Sequence, residues 1–132
     1  MGLNKHILVV DDNDIIRGVL TIVLKAAGYQ VVCAANGREA LDCLRAAQPP
    51  FVILLDLAMP VVDGRQFRQK QQEDATLALI PVVVVSAESD LPLIAASLGV
   101  TSYFTKPVDF AKLVEAIRVI DGYGACAVVM AG

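Results

Sequence analysis

Residues 51–64 read FVILLDLAMPVVDG, and this stretch decides the fold. Its first five residues form an unbroken apolar run, which is typical of a strand buried on both faces of a sheet. Pro60 cannot donate to a sheet ladder and Asp63-Gly64 is a turn signal, so the strand ends close to Asp56. We therefore expect Asp56 on rigid backbone with its side chain facing solvent, at the strand end where parallel sheets bind ligands.

The rest of the chain alternates strand-like and helix-like segments. Strands are predicted at residues 6–10, 29–34, 51–55, 80–85 and 102–104, and helical spacing marks helices around residues 15–24, 40–44, 65–73, 92–98 and 110–117. The third helix has only Phe67 as a large apolar anchor, so we expect it to be mostly solvated. This alternation predicts a single α/β domain, with five parallel strands covered on both faces by five helices.

Composition excludes several classes of protein. The chain has 132 residues, enough for one domain, and a formal net charge of −3 with scattered basic residues, which argues against direct nucleic-acid binding. No apolar run approaches the roughly 20 residues of a membrane helix, and no signal peptide is evident, so a cytoplasmic protein is the expectation. Cys33, Cys43 and Cys126 are odd in number and lie among apolar residues, which favours reduced packing cysteines over disulfides or metal ligands.

Reactive side chains follow four of the predicted strands. Asp11 and Asp12 follow the first, Asp56 the third, Ser86 the fourth and Lys106 the fifth. Because the carboxyl ends of parallel strands share one edge of a sheet, these groups should converge. Clustered carboxylates either have raised pKa values or hold a cation, and Mg2+ prefers such oxygen ligands. Singly, each has a plainer interpretation, such as helix capping by the acidic loop or a solvated lysine; their joint placement favours a site.

At this point the chain resembles the receiver domain of two-component response regulators, the CheY-like superfamily. The matching segments are ILVVDD at 7–12, DLAMP at 56–60 with DG at 63–64, SA at 86–87 and YFTKP at 103–107. The resemblance covers about residues 5–120 and implies a flavodoxin-like, doubly wound sheet in strand order 2-1-3-4-5. Residues 121–132 then form a short tail without an output domain, so we expect a stand-alone receiver or one cut from a longer regulator or hybrid histidine kinase.

The resemblance also implies roles for individual residues. Asp56 is the phosphoacceptor, Lys106 and Ser86 contact phosphoryl oxygens, and Mg2+ is held by Asp11, Asp12, Asp56 and the backbone carbonyl of Ala58. Ser86 replaces the commoner threonine and keeps the hydroxyl. Ser86 and Tyr103 form the switch, although Tyr103 also fits a plain half-buried aromatic residue. The bond from Lys106 to Pro107 is usually cis in the family.

The implied partners are a histidine kinase or histidine phosphotransfer protein and an unidentified downstream protein, with homodimerisation left open. The domain is then a signalling phosphoacceptor that assists its own phosphotransfer and dephosphorylation, and no enzyme acting on a separate substrate. A remote alternative is a haloacid-dehalogenase-like phosphatase, because Asp12-Asn13-Asp14 has the Asp-x-Asp pattern and would make Asp12 the nucleophile. A pseudo-receiver that is never phosphorylated is a third alternative, disfavoured by the intact set of reactive residues.

Overall fold

Five parallel strands form one sheet in a computed structural model, which describes residues 5–46, 48–59, 62–100 and 102–122. The strands are β1 (His6–Val10), β2 (Gln30–Ala34), β3 (Val52–Leu55), β4 (Val82–Ser86) and β5 (Ser102–Thr105). They lie in the order β2-β1-β3-β4-β5, which confirms the predicted doubly wound arrangement. Cys126 and residues 123–132 of the predicted tail lie outside the described residues.

Five helices connect the strands, and most begin at a capping side chain. They are α1 (Asp14–Ala26), α2 (Gly37–Leu44), α3 (Gly64–Glu73), α4 (Leu91–Ser97) and α5 (Phe110–Ile120), with a short 3-10 turn at Leu77–Leu79 before β4. The side chains of Asn13, Asn36, Asp63 and Asp109 each accept a hydrogen bond from a backbone N–H in the first turn of the helix that follows. With these caps α1, α2 and α5 start within five positions of a strand end, whereas a longer loop leads from β3 to α3.

The central strands are apolar throughout because both of their faces are covered. In β3, Ile53 and Leu55 pack toward α2, α3 and α4, whereas Val52 and Leu54 pack toward α1 and α5. Side chains alternate between the two faces of a strand, so a continuous apolar run supplies two separate hydrophobic cores. The interpretation as a doubly buried strand is therefore confirmed for Val52–Leu55, whereas Phe51 is half-buried and precedes the strand.

As expected, α3 is mostly solvated, since six of its ten residues are exposed. Arg68 and Gln71 are nevertheless buried together with Phe67, because their polar ends find hydrogen-bond partners. The packing role expected for Cys33 is wrong. Cys33 is exposed, since β2 is an edge strand with α1 covering only part of it, and its sulfur lies 3.4 Å from the Thr21 hydroxyl. Cys43 is half-buried against the core under α2 as expected, and burial is the main cause that raises the pKa of its thiol.

Candidate functional site

Three carboxylates meet at the carboxyl edge of the sheet. Asp11 and Asp56 follow the paired neighbours Val10 and Leu55, and the Asp56 N–H donates to the Val10 carbonyl over 2.9 Å. One carboxylate oxygen from each of Asp11, Asp12 and Asp56 lies within 4.8 Å of the others. The register of β1 against β3 therefore brings together the acids that the sequence predicted to converge.

Lys106 reaches into this cluster from β5. Its Nζ lies 2.8 Å from Asp11 Oδ2 and 3.6 Å from Asp56 Oδ2. The Lys106 N–H also donates to the Ser86 carbonyl over 3.0 Å, and the Lys106-Pro107 peptide bond is cis. The lysine side chain thus crosses the end of β4 and contacts the acids that follow β1 and β3.

Asp56 is more enclosed than the sequence suggested. We expected its side chain to face solvent, but the residue is only 6% exposed. Gly64 at the start of α3 lies directly against it, since a Cβ on this glycine would come within 2.5 Å of the Asp56 carbonyl oxygen. This close approach explains the need for glycine at position 64. The Asp56 carboxylate itself is recessed below the protein surface.

The enclosure changes the acidity of Asp56. Burial is the main cause that raises the pKa of its carboxyl, and the neighbouring charge of Asp11 raises it further. The Lys106 ammonium and the Ala58 N–H, which lies 3.4 Å from Asp56 Oδ1, act in the opposite direction without reversing the shift. Independently of this shift, three hard oxygen donors within 4.8 Å of one another suit a divalent cation such as Mg2+.

The acidic loop is more than a helix cap. Asn13 caps α1, while Asp11 Oδ1 accepts a hydrogen bond from the Asn13 N–H over 2.9 Å. Helix capping, the plainer interpretation of this loop, therefore applies to Asn13. The Asp12 side chain is exposed at the mouth of the cluster.

Ser86 is completely buried at the end of β4. Its hydroxyl oxygen accepts a hydrogen bond from the Glu88 N–H over 3.3 Å, and among the described residues it makes no hydrogen bond to Asp56. Tyr103 is 38% exposed and lies on the opposite face of β5 from Phe104, which packs with α1 and α5. Tyr103 therefore stands on the α4 side of the sheet, close to the strand that carries Ser86.

Two arginines near the site were missed by the sequence interpretation. Arg17 donates from Nη1 to the Asp11 carbonyl over 2.7 Å and pairs with Asp14. Arg65 pairs with Glu88 across the gap between α3 and the loop after β4. The spacing of Asp14 and Arg17 on one helix face could have revealed the ion pair between them. No local pattern reveals the pair of Arg65 and Glu88.

An apolar cavity of about 420 Å3 opens beside the acidic cluster. Ile15 and Val19 of α1 line one side of it, and Lys106, Val108 and Phe110 line another. Ile15 is 77% exposed, which is unusual for a large apolar side chain next to a charged recess. The site therefore has an apolar wall on one side of its opening.

Comparisons with known proteins match this geometry to a family. The family model described as "Response regulator receiver domain" matches residues 7–118. The sporulation initiation phosphotransferase F of Bacillus subtilis is 35% identical over 118 residues, covering 88% of this chain and 93% of the relative. The structure of the chemotaxis response regulator CheY4 of Vibrio cholerae superposes with a TM-score of 0.79 at 29% identity, covering 88% and 98% of the two chains.

A further relative differs in length. The transcriptional regulatory protein CseB of Streptomyces avermitilis is 33% identical over 122 residues, and the match covers 91% of this chain but 50% of CseB. The chain thus spans about half the length of that relative.

Fold and site together define a parallel α/β domain with an acidic cluster and a lysine at the carboxyl edge of its sheet. The chain belongs to the response regulator receiver domain family, as its sequence motifs suggested. Receiver domains of this kind generally bind Mg2+ and interact with histidine kinases and phosphotransfer proteins. Among the described residues, no helix is both long enough and apolar enough to cross a membrane.

Proposed function

We propose that Asp56 accepts a phosphoryl group from a phosphohistidine on a histidine kinase or phosphotransfer protein. The observation that carries the proposal is the position of the Lys106 ammonium, within 3.6 Å of the Asp56 carboxylate and bound to Asp11. This arrangement provides a recessed nucleophile next to a fixed positive charge. Carboxylate nucleophiles of this kind form aspartyl phosphates.

The chemistry needs little covalent help from the protein. An Asp56 carboxylate oxygen forms a bond to phosphorus as the phosphorus–nitrogen bond of the donor breaks, and the departing imidazole keeps the electron pair and takes up a proton. Lys106 neutralises negative charge on one phosphoryl oxygen, and the Ser86 hydroxyl hydrogen-bonds another after it turns inward. Fixed partners for charge spread over the transferring group are the main source of catalysis in such reactions.

The acidic cluster fits a Mg2+ ion. Asp12 and Asp56 would bind it directly, Asp11 directly or through water, and the Ala58 carbonyl would be a further ligand. When bound, the ion supplies positive charge that offsets the repulsion among the carboxylates and the incoming phosphoryl group. The convergence of three carboxylate oxygens within 4.8 Å of one another supports this assignment, because like charges so close together favour a bound cation.

The phosphodonor docks over the apolar cavity beside Lys106. Ile15 and Phe110 are partly exposed at its rim, and the cavity ends at the lysine that faces Asp56. A helical surface with apolar side chains around its phosphohistidine fits such a groove, since burial of these rim residues favours association while the imidazole points into the recess. This apolar surface would bind a protein phosphodonor, whereas a small phosphodonor such as acetyl phosphate does not need it.

Phosphorylation then changes a different surface. Movement of Ser86 toward the phosphoryl group vacates space near β5, and Tyr103 turns into it from the α4 side. The face formed by α4, β5 and α5 changes for a downstream protein or a second copy of the chain, without direct contact to nucleic acid. The domain also assists hydrolysis of its own aspartyl phosphate and returns to the resting state.

Intact mass after incubation with acetyl phosphate and Mg2+ tests the proposal. We expect one added phosphoryl group, removed by hydroxylamine as an acyl phosphate must be, and its complete loss in Asp56→Asn. Asp12→Asn should keep some labelling because the nucleophile remains. If Asp12→Asn abolished labelling while Asp56→Asn kept it, the phosphatase-like chemistry at Asp12 would be favoured instead. No labelling under any such condition would support a pseudo-receiver.

A further inference from the structure

An ion pair joins the start of α3 to the loop after β4, close in sequence to the proposed phosphoacceptor Asp56 and the switch hydroxyl of Ser86. Arg65 Nη2 lies 2.6 Å from Glu88 Oε2, and Nη1 lies 3.5 Å from Oε1. Arg65 belongs to the first turn of α3 and Glu88 to the loop after β4, so the pair spans 23 positions of sequence. The two-point geometry fixes the direction of both side chains.

The arginine end of this pair is anchored to Asp56. Gly64 precedes Arg65, donates from its N–H to the Leu57 carbonyl over 3.0 Å and lies against the Asp56 backbone. Asp63 and Gln66 form a capping box around the same turn. The backbone of Arg65 is thus held rigidly on the loop that carries Asp56.

The glutamate end is anchored to Ser86. The Glu88 N–H donates to the Ser86 hydroxyl oxygen, which is fully buried. A turn of this hydroxyl toward a phosphoryl group on Asp56 would break that hydrogen bond, and Glu88 would have to shift to keep its N–H paired. The Arg65–Glu88 pair therefore opposes the movement that the proposed function requires.

We propose that Arg65 and Glu88 are positioning residues that form a latch and hold Ser86 in its resting place. The inference rests on the proposed function, because a latch on Ser86 matters only if Asp56 receives a phosphoryl group. Phosphorylation must open or stretch the latch, so the strength of the pair sets how readily the domain switches. Breaking the pair favours the switched state.

The test compares the affinity of wild type, Arg65→Gln and Glu88→Gln for beryllium trifluoride with Mg2+, a phosphoryl mimic, followed through the Ser86 and Lys106 amide signals in NMR titrations. Both variants should bind the mimic about two- to fivefold more tightly, the range expected for one partly exposed ion pair. A simple charge effect predicts opposite signs, since Arg65→Gln removes a positive charge near an anion and Glu88→Gln removes a negative one.

Matched controls separate the latch from charge and from folding. Lys70→Gln and Glu73→Gln make the same charge changes on exposed residues of α3 and should leave the affinity unchanged. The swapped pair, Arg65→Glu with Glu88→Arg, should restore the wild-type affinity, which a loss of structure would not do. Melting temperatures check that each variant is folded.

Three results would overturn the latch: unchanged affinity in both single variants, weaker binding in both, or changes of opposite sign. Failure of the swapped pair to restore the wild-type value would also count against it. A different result bears on the proposed function itself, namely wild-type protein that neither binds the mimic nor becomes labelled by acetyl phosphate. The two failures are therefore distinguishable.

Discussion

The two edges of the sheet treat buried charge in opposite ways. At the carboxyl edge, Asp11 and Asp56 are buried as like charges, with the Lys106 ammonium as a shared partner. At the amino edge, the buried Arg68 guanidinium donates to Gln71 Oε1 over 2.8 Å and to the carbonyls of Leu98 and Gly99 over 3.0 and 3.4 Å. One edge keeps charge in excess, whereas the other distributes it over polar groups of the chain.

The arrangement at the amino edge is a stabilising network. Arg68 belongs to α3, but its guanidinium lies at the C-terminal end of α4, where the helix dipole favours a cation. Burial lowers the pKa of this guanidinium. Gln71, which is 0% exposed, donates to the Leu77 and Ile80 carbonyls as well as accepting from Arg68. The difference teaches that this fold keeps its unbalanced electrostatics at the edge where we propose that the chemistry takes place.

The largest effect should come from breaking the amino-edge network. Gln71→Leu leaves two buried carbonyls and the Arg68 guanidinium without their amide partner, and we expect a loss of about 3 kcal/mol in the free energy of unfolding. Urea denaturation measures it, with the exposed Gln69→Leu as the matched control. Labelling by acetyl phosphate should persist in the folded variant. A loss below about 0.5 kcal/mol would contradict a network of this kind.

Removing the cation of the carboxyl edge should affect chemistry more than stability. In Lys106→Ala, labelling of Asp56 by acetyl phosphate should slow about 100-fold, because a fixed charge opposite the transferring group is lost. Circular dichroism and urea denaturation should show a folded domain. Lys112→Ala, an exposed lysine on α5, is the control and should label normally. An unfolded Lys106→Ala protein would mean that the lysine serves structure instead.

Mg2+ should stabilise the carboxyl edge without any phosphodonor. At ten times its dissociation constant the ion adds about 1.4 kcal/mol to the free energy of unfolding, and chelation should remove this gain. Asp12→Asn should need a higher Mg2+ concentration for the same rise in melting temperature. NaCl at matched ionic strength is the control for screening. Equal effects of Mg2+ on wild type and Asp12→Asn would argue against Asp12 as a ligand.

The sequence predicted the parts of the fold and site that depend on local pattern. Apolar runs placed the strands, and the residues after them, Asp11, Asp56 and Lys106, converge because strand ends of a parallel sheet share an edge. The family resemblance supplied strand order and the cis Lys106-Pro107 bond. The acidic cluster of Asp11, Asp12 and Asp56 was therefore predictable from the sequence.

The remainder depends on long-range partners that no local pattern shows. Arg68 and Gln71 were expected to be solvated because most of their hydrogen-bond acceptors lie outside α3, up to 31 positions away. The Arg65–Glu88 pair joins two loops whose separation is set by the sheet. Asp56 was expected to face solvent because its enclosure comes from Gly64 and Lys106, which only the folded chain brings near it.

The smallest predicted effect bears most directly on the contrast between the edges. In metal-free protein near pH 7, Asp56→Asn should raise the free energy of unfolding by on the order of 1 kcal/mol, a typical size for one substitution. The pKa of the Asp56 carboxyl is raised from 3.8 in the folded protein, chiefly by burial and then by Asp11. The folded state therefore binds this proton more tightly than the unfolded state does.

The sign of the pH dependence follows from that difference. The stabilisation from protonated Asp56 is fully present below pH 3.8 and is lost as the pH rises through the raised folded value, whereas asparagine stays neutral throughout. The advantage of Asp56→Asn should therefore be small in acid and grow toward neutral pH. Urea denaturation across this range measures it, with the exposed Asp42→Asn as control. A variant less stable than wild type at pH 7 would mean that Lys106 fully compensates Asp56, and the contrast between the edges would then vanish.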